Sequence, residues 1–503
     1  MKLYHNQTRA NRRILLIEPP FYRLFKKTYA LVRYPLSLGY LAASVKTKTE
    51  WDVMVYNADF LPQSDPFEVT YFKGKGFLRY RRILNDTSHN IWQEIRDVIS
   101  GYAPAVVGIS AKSATFASAL RIAGIAKDVN PEMIVVVGGP HPSSIFSKVT
   151  DPAGKEDSPA WIANENAGIS CHDIDIFVVG EGEETIVQLL RTIEKGADLI
   201  HICGIIYRNG RGFSANPARQ FIENLDSLPF PHQYAPEVLK DYKIYPSSAF
   251  SNIIAVRGCP YHCFFCGSGN IWGKGVRFRS SQNVAEEMLN LNSIGINDIH
   301  FDDDTFGVKA PYLQSLCRVI KSSCPGIRWS CEIHVRLVNE KNISLMKEAG
   351  CYMIQLGIES GNNGILNDIR KGFTIEEAIA ACKLIKSHDI KLETFFMTGF
   401  PQETEASFND TARVIEEIEC DKIIYSIFTP YLGTEAFDLC QDKGMVSRSY
   451  DPSLYCHQSP ENCFCINIAP EHFKEISSRL EEVVVQKNRE TLVGRRNGGF
   501  SLY

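Results

Sequence analysis

The sequence lacks any apolar run near the roughly 20 residues that a membrane-spanning helix requires. Its first 170 residues contain no cysteine, so no thiolate-held metal centre is expected there. Its formal net charge is only -4, which gives no overall attraction to nucleic acid. The basic groups near Arg9–Arg13 and Arg79–Arg82 read as solvated faces. The N-terminus is basic but has neither a long apolar stretch nor a small-residue cleavage site, so no secretory signal is expected. A cytoplasmic protein follows. In that compartment the fifteen cysteines are thiols or metal ligands, not a disulfide framework, and most are expected in the core.

What is present describes an ordinary globular chain. Hydrophobic residues make up 44% and charged residues 22% of its 503 positions, a length that calls for two or three domains. Short apolar runs alternate with amphipathic stretches over roughly residues 12–205. ILLIE (14–18) runs into Pro19-Pro20, WDVMVYNAD and AVVGIS (105–110) follow, and MIVVVGG (133–139) and IFVVG (176–180) continue the beat. Helical patterns at 36–45, 116–129 and 181–190 separate most of them. Such alternation predicts an α/β domain of Rossmann-like form, an open parallel sheet covered by helices. Its ligands are expected beyond the carboxyl ends of the strands. The proline-bearing segment 206–248 reads as a linker laid over the surface. From 249 to 430 six more strand–helix units suggest a partial (β/α)6 barrel with strand ends converging on one mouth. Residues 431–503 form a smaller C-terminal region, assigned to the substrate pocket.

The chemistry concentrates in RGCPYHCFFCGSG, residues 257–269. Cys259, Cys263 and Cys266 follow a strand in CxxxCxxC spacing. Three thiolates on one loop can hold three irons of a four-iron cluster and leave the fourth iron open; a fourth thiolate would favour plain electron transfer. A zinc site completed by His262 or a distant thiol, and inert neighbouring thiols, are the competing readings. Tyr261, Phe264 and Phe265 would shield a cluster from water.

CPYHCFFC and its flanks resemble the cluster loop of radical S-adenosylmethionine (SAM) enzymes. HFDDDTF (300–306), WSCEIHVRL (329–337), QLGIESGN (355–362) and MTGFPQET (397–404) extend the likeness along the expected barrel. YPLSLGYLAA, GISAKS, VVVGGPHPS and FVVGEGEETI are similar to the cobalamin-binding domain of the branch that carries one. This resemblance implies a [4Fe-4S] cluster on Cys259, Cys263 and Cys266, SAM on its open iron, and cobalamin on the N-terminal sheet. Asp303, Asp304, Arg336 and Glu359 are the implied SAM contacts, with Gly399 and Pro401 shaping a loop. Ser110, Gly138, Gly139, Gly180 and Glu181 are the implied corrin contacts. Each has a plainer reading, as a helix cap, a surface arginine, a buried structural carboxylate or a strand-to-helix turn.

The sequence departs from many corrin-binding domains at one point. Their Asp-x-His-x-x-Gly motif is replaced by Asn57-Ala58-Asp59-Phe60-Leu61. The departure implies cobalamin held base-off with no lower histidine; His141 is not taken as a cobalt ligand. Cys463 and Cys465, with Cys456, read as core or pocket thiols, not a second cluster.

The implied reaction is methylation of an unactivated carbon. One SAM regenerates methylcobalamin, and another yields a 5'-deoxyadenosyl radical that removes a substrate hydrogen before methyl transfer. A small-molecule substrate and a one-electron donor such as flavodoxin or ferredoxin are the implied partners. The alternative is a non-methylating cobalamin enzyme performing cyclisation, ring contraction or hydroxylation. A tRNA methylthiotransferase fits poorly, for want of an N-terminal cysteine triad. A non-catalytic iron–sulfur protein would fail to cleave SAM.

Overall fold

The structure is a computed structural model, described over residues 11–146, 171–210, 212–273, 275–446 and 462–497. It divides into two compact units. The first holds 11–146, 171–210, 212–250, 270–273 and 431–446; the second holds 251–269, 275–430 and 462–497. Cys456 lies outside the described residues.

The first unit is built on a seven-stranded sheet. Its strands are β1 (Arg13–Glu18), β2 (Asp52–Asn57), β3 (Val106–Ser110), β4 (Ile134–Gly138), β5 (Ile176–Val178), β6 (Ile205–Asn209) and β7 (Gly212–Ala215). They lie in the order β2-β1-β3-β4-β5-β6-β7. The first five pair in parallel, with Ile14 opposite both Val53 and Val106. All five residues of β3 are buried, as an apolar strand covered on both faces must be. Past residue 205 the sheet continues as an antiparallel hairpin of β6 and β7, so its far edge is mixed. Between β2 and β3 the chain makes three helices, Val69–Lys73, Lys75–Asn85 and Asn90–Tyr102. They bury an aromatic group in which Phe25 stacks on Tyr80 at 4.6 Å and meets Phe72 edge-on. The 206–248 segment does not lie open on the surface: Leu225, Leu228, Ala235 and Val238 are buried, and the helix Pro231–Val238 packs on the helix Leu36–Lys48.

The second unit carries six parallel strands. They are β8 (Asn252–Ile253), β11 (Asp298–Phe301), β12 (Arg328–Ile333), β13 (Cys351–Glu359), β14 (Lys391–Thr398) and β15 (Lys422–Ile427), in the order β15-β14-β13-β12-β11-β8. The expected strand 253–257 is broken: after β8 the chain turns and forms β9 (Val256–Arg257), which pairs antiparallel with β10 (Arg277–Phe278). Helices fill the crossovers, several with side-chain caps; Thr374 and Glu377 form a reciprocal capping box, which satisfies otherwise orphaned amides. The long helix Pro470–Asn497 packs on β15 and on the helix Glu405–Glu417. No helix among the described residues is long and apolar enough to cross a membrane. Because all six strands run the same way, their carboxyl ends bring the cysteine loop and the segments at 302, 334, 359 and 399 to one edge.

Candidate functional site

The cysteine loop is fixed from several strand ends. Gly258, with φ +94°, starts the turn out of β9, a conformation glycine adopts without a Cβ penalty. Within the loop Cys266 N donates to Cys263 O at 3.1 Å, and Phe264 N donates to Ile369 O at 3.1 Å. Cys259 Sγ lies 3.3 Å from Thr305 Oγ1, and Cys266 Sγ accepts from Ser268 N at 3.5 Å. Tyr261 stacks on His334 at 3.7 Å, and Phe265 meets Phe400 at 5.4 Å. Cys259 and Cys263 are half-buried and Cys266 is exposed; most other described cysteines are core thiols.

The acidic segment after β11 divides its labour. Buried Asp303 turns inward, and its Oδ1 accepts from Ala255 N at 2.8 Å and Val256 N at 2.9 Å. This ties the broken first strand to the loop that follows it. Its second oxygen has no hydrogen-bond partner. Burial pushes the Asp303 carboxyl up to about 7 although those two amides pull it down. Asp304 accepts from Ser268 Oγ at 2.6 Å. Arg336 is exposed on the short turn Val335–Leu337, which His334 caps by accepting from Arg336 N.

Glu359 ends β13 with φ +73° and receives Lys371 Nζ at 3.1 Å. Its neighbours are anchored: Gly361 N donates to Thr411 Oγ1 at 2.9 Å, and Asn362 Nδ2 to Asp410 Oδ2 at 2.7 Å. A Cβ on Gly361 would meet Thr411 Cα at 2.6 Å, so only glycine permits that approach. Half-buried Glu332 shares this environment; burial, then the Glu359 charge, pushes it up to about 7. At the end of β14, Gly399 takes φ +99°, and buried Glu403 accepts from the amides of Gly399 and Phe400. Burial pushes Glu403 up to about 8. Lys371, Glu332, Thr305, Ser268 and Glu403 were not singled out from sequence. Ser268, Thr305, Glu332 and Glu403 all lie in the quoted stretches RGCPYHCFFCGSG, HFDDDTF, WSCEIHVRL and MTGFPQET; Lys371 lies in none of them.

On the first unit, Ser110, Gly138 and Gly139 come together at the ends of β3 and β4, where Ser110 pairs with Gly138 across the ladder. Gly139 has φ +103°, and a Cβ there would stand 3.0 Å from the backbone of Ala111. Gly180 N donates to Ser143 Oγ at 3.0 Å, and nothing lies within 4 Å of the place its Cβ would take. Buried Glu181 braces the fold, its Oε2 accepting from Ile222 N at 2.7 Å. Buried His141 places Nδ1 2.9 Å from Ser113 Oγ, and burial pushes its ring down to about 3.

The segment that stands in for the histidine motif is engaged within this unit. Asp59 accepts from Phe21 N, Tyr22 N and Arg23 N at 2.9, 3.1 and 3.0 Å. Phe60 stacks on Tyr245 at 3.5 Å.

Comparison with known proteins agrees with both halves. The radical SAM superfamily matches residues 253–415, and the B12 binding domain matches residues 23–153. An uncharacterised methyltransferase of Pyrococcus horikoshii is 30% identical over 427 residues, covering 85% of this chain and 82% of its own. The chain belongs to the cobalamin-binding radical SAM family. It is therefore a cobalamin- and SAM-dependent radical enzyme. A cytidylyl-2-hydroxyethylphosphonate methyltransferase of Streptomyces wedmorensis is 26% identical, covering 89% of this chain and 85% of its own. An anaerobic magnesium-protoporphyrin IX monomethyl ester cyclase of Rubrivivax gelatinosus is also 26% identical, over 72% of this chain and 62% of its own. The fold matches that of TsrM, a radical SAM methyltransferase of Kitasatospora setae solved with tryptophan and a SAM analogue. Its TM-score is 0.61 at 17% identity, covering 86% of this chain and 76% of that one.

Proposed function

We propose that this enzyme methylates a carbon of a small molecule, with Cys259, Cys263 and Cys266 holding a four-iron cluster. The observation that carries the reading is the cysteine loop itself, tied at the strand-end edge of a parallel sheet to the segments at 305, 334, 369 and 400. Among the described residues no group of three or more His, Cys, Asp or Glu is placed to hold a single metal ion. Three cysteines in CxxxCxxC spacing on one loop suit a polynuclear cluster, whose irons take one thiolate each. When bound, the cluster supplies the electron that cleaves SAM, and cobalamin supplies a transferable methyl group.

The protein's own residues supply position and shelter. Phe264 and Phe265 cover the loop, with Phe264 buried. Exposed Arg336 presents a forked donor suited to the SAM carboxylate, and Asp304 an acceptor for its amino group. Glu359 offers its carboxylate to the ribose hydroxyls, while Asp303 holds the loop through backbone amides. Gly138, Gly139 and Gly180 leave the sheet edge open for a corrin, with Ser110 beside them; Glu181 supports that surface by anchoring residue 222. Asn57–Leu61 offers no imidazole, which supports base-off cobalamin without a lower histidine. An external one-electron donor of the flavodoxin or ferredoxin kind completes the scheme.

Two methyltransferases among the relatives support methyl transfer, whereas the cyclase favours the second reading, a non-methylating radical reaction. Anaerobic reconstitution with iron, sulfide and hydroxocobalamin, then incubation with SAM, reductant and candidate substrates, separates them. Methylated product with S-adenosylhomocysteine supports methylation. Deoxyadenosine formed with an altered, unmethylated product and no S-adenosylhomocysteine overturns it. A reconstituted chain without cobalt overturns both.

A further inference from the structure

Lys371 Nζ lies 3.1 Å from Glu359 Oε1, and the two side chains are only 7% and 10% exposed. Gly357 makes room for them: a Cβ there would stand 2.7 Å from Glu359 Oε1 and 3.3 Å from Lys371 Nζ. Glu359 reaches this position through the left-handed region, at a register shift between Gly357 and Glu359. That conformation is sterically unfavourable for a non-glycine residue, so the fold maintains the pair against strain.

The turn that carries Lys371 also holds the cysteine loop. Phe264 N donates to Ile369 O, and Lys371 N closes the turn onto Leu366 O. One turn thus carries Lys371 and, two residues before it, the Ile369 carbonyl that holds the neighbour of Cys263. Glu332 adds a further negative charge within range of the same ammonium.

We propose that Lys371 and Glu359 set the reduction potential of the cluster held by Cys259, Cys263 and Cys266, Lys371 acting as a positioning residue and not as a ligand. This rests on the cluster reading above. Reduction adds negative charge to a weakly screened site; an ammonium beside it favours that change and a carboxylate opposes it. The pair is neutral as a whole, so removing one member unbalances it and removing both restores the balance.

The test uses the full chain reconstituted with iron and sulfide, without SAM, and titrated anaerobically with dithionite while the reduced cluster is followed by electron paramagnetic resonance. Lys371→Met is expected to move the midpoint to more negative potential and Glu359→Gln to more positive. The double variant is expected to return toward the parent. Shifts of the same sign, or no shift, overturn the proposal. If Lys371→Met takes up no iron, Glu359→Gln decides alone: a positive shift supports the proposal and an unchanged midpoint overturns it. Iron and sulfide analysis comes first. A parent chain that assembles no four-iron cluster overturns the reading beneath, an outcome distinct from a cluster whose potential ignores the pair.

Discussion

Asn488 on the helix Pro470–Asn497 reads the backbone of Ile423 on β15 with both ends of its carboxamide. Oδ1 accepts from Ile423 N at 2.8 Å, and Nδ2 donates to Ile423 O at 2.9 Å. A strand at the end of a sheet exposes unpaired amides and carbonyls; here one side chain occupies the donor and the acceptor of a single residue. Asn488→Leu keeps the bulk and removes both bonds. It is expected to lower stability by about 1–3 kcal/mol, read by denaturant unfolding, with the cluster content of the folded protein unchanged. An unaltered midpoint would show that water replaces the carboxamide at no cost.

The cysteine loop makes a second prediction. Cys259→Ala, Cys263→Ala and Cys266→Ala should each reduce iron from about four per chain to a small remainder and abolish SAM cleavage. Cys463→Ala and Cys465→Ala should leave iron content unchanged, since Cys463 Sγ only approaches Ile468 O at 3.9 Å and Cys465 is buried. Iron and sulfide analysis separates the two groups. Loss of iron in the Cys463 or Cys465 variant would place a cluster ligand in the C-terminal segment.

Glu403 gives stability a pH dependence. Burial keeps its carboxyl protonated up to about 8 in the fold, whereas in the unfolded chain it ionises near the ordinary value of about 4.3. Between those values the folded state binds the extra proton. The contribution of this group therefore falls as pH rises through that window, by up to about 1.4 kcal/mol per pH unit. Glu403→Gln carries no titrating proton, so its stability should depend less steeply on pH from about 5 to 8 than the parent's. Parallel unfolding curves across that range would show that Glu403 is ionised in the fold.

The cobalamin site makes the fourth. With Asp59 committed to three amides and Phe60 to Tyr245, no imidazole is offered by the 57–61 segment. Reduced cobalamin bound to the chain is expected to show no nitrogen superhyperfine splitting in its paramagnetic resonance spectrum; a splitting would reveal an axial base. At the proposed corrin edge, Gly139→Ala forces a Cβ to 3.0 Å from Ala111 N and O in an unfavourable backbone region. A stability loss of about 1–2 kcal/mol and weaker cobalamin retention on gel filtration should accompany it.

Helices between β2 and β3 were not visible in the strand–helix rhythm, because Phe72 and Tyr80 gain their meaning only by packing on Phe25, and Phe77 by packing on Tyr80. The break between β8 and β9 was equally hidden, since the apolar run 253–256 reads as one strand until Asp303 claims the amides of Ala255 and Val256. Asp303 stood out in the sequence as a candidate, but its turn toward the amides of Ala255 and Val256 did not.

The sequence by itself determined the parallel parts of the two α/β sheets, the order of their strand-end segments and the loop that gathers three thiols, because periodicity and short-range spacing are local properties. The tertiary structure decided which polar groups are spent on the fold and which face the chemistry. Lys371 is 12 residues from Glu359 along the chain and lies in none of the quoted motifs; Glu181 reads as a turn residue until Ile222 N meets it. Burial by distant elements sets whether such a charge is paired or exposed, and a linear pattern does not encode that distance.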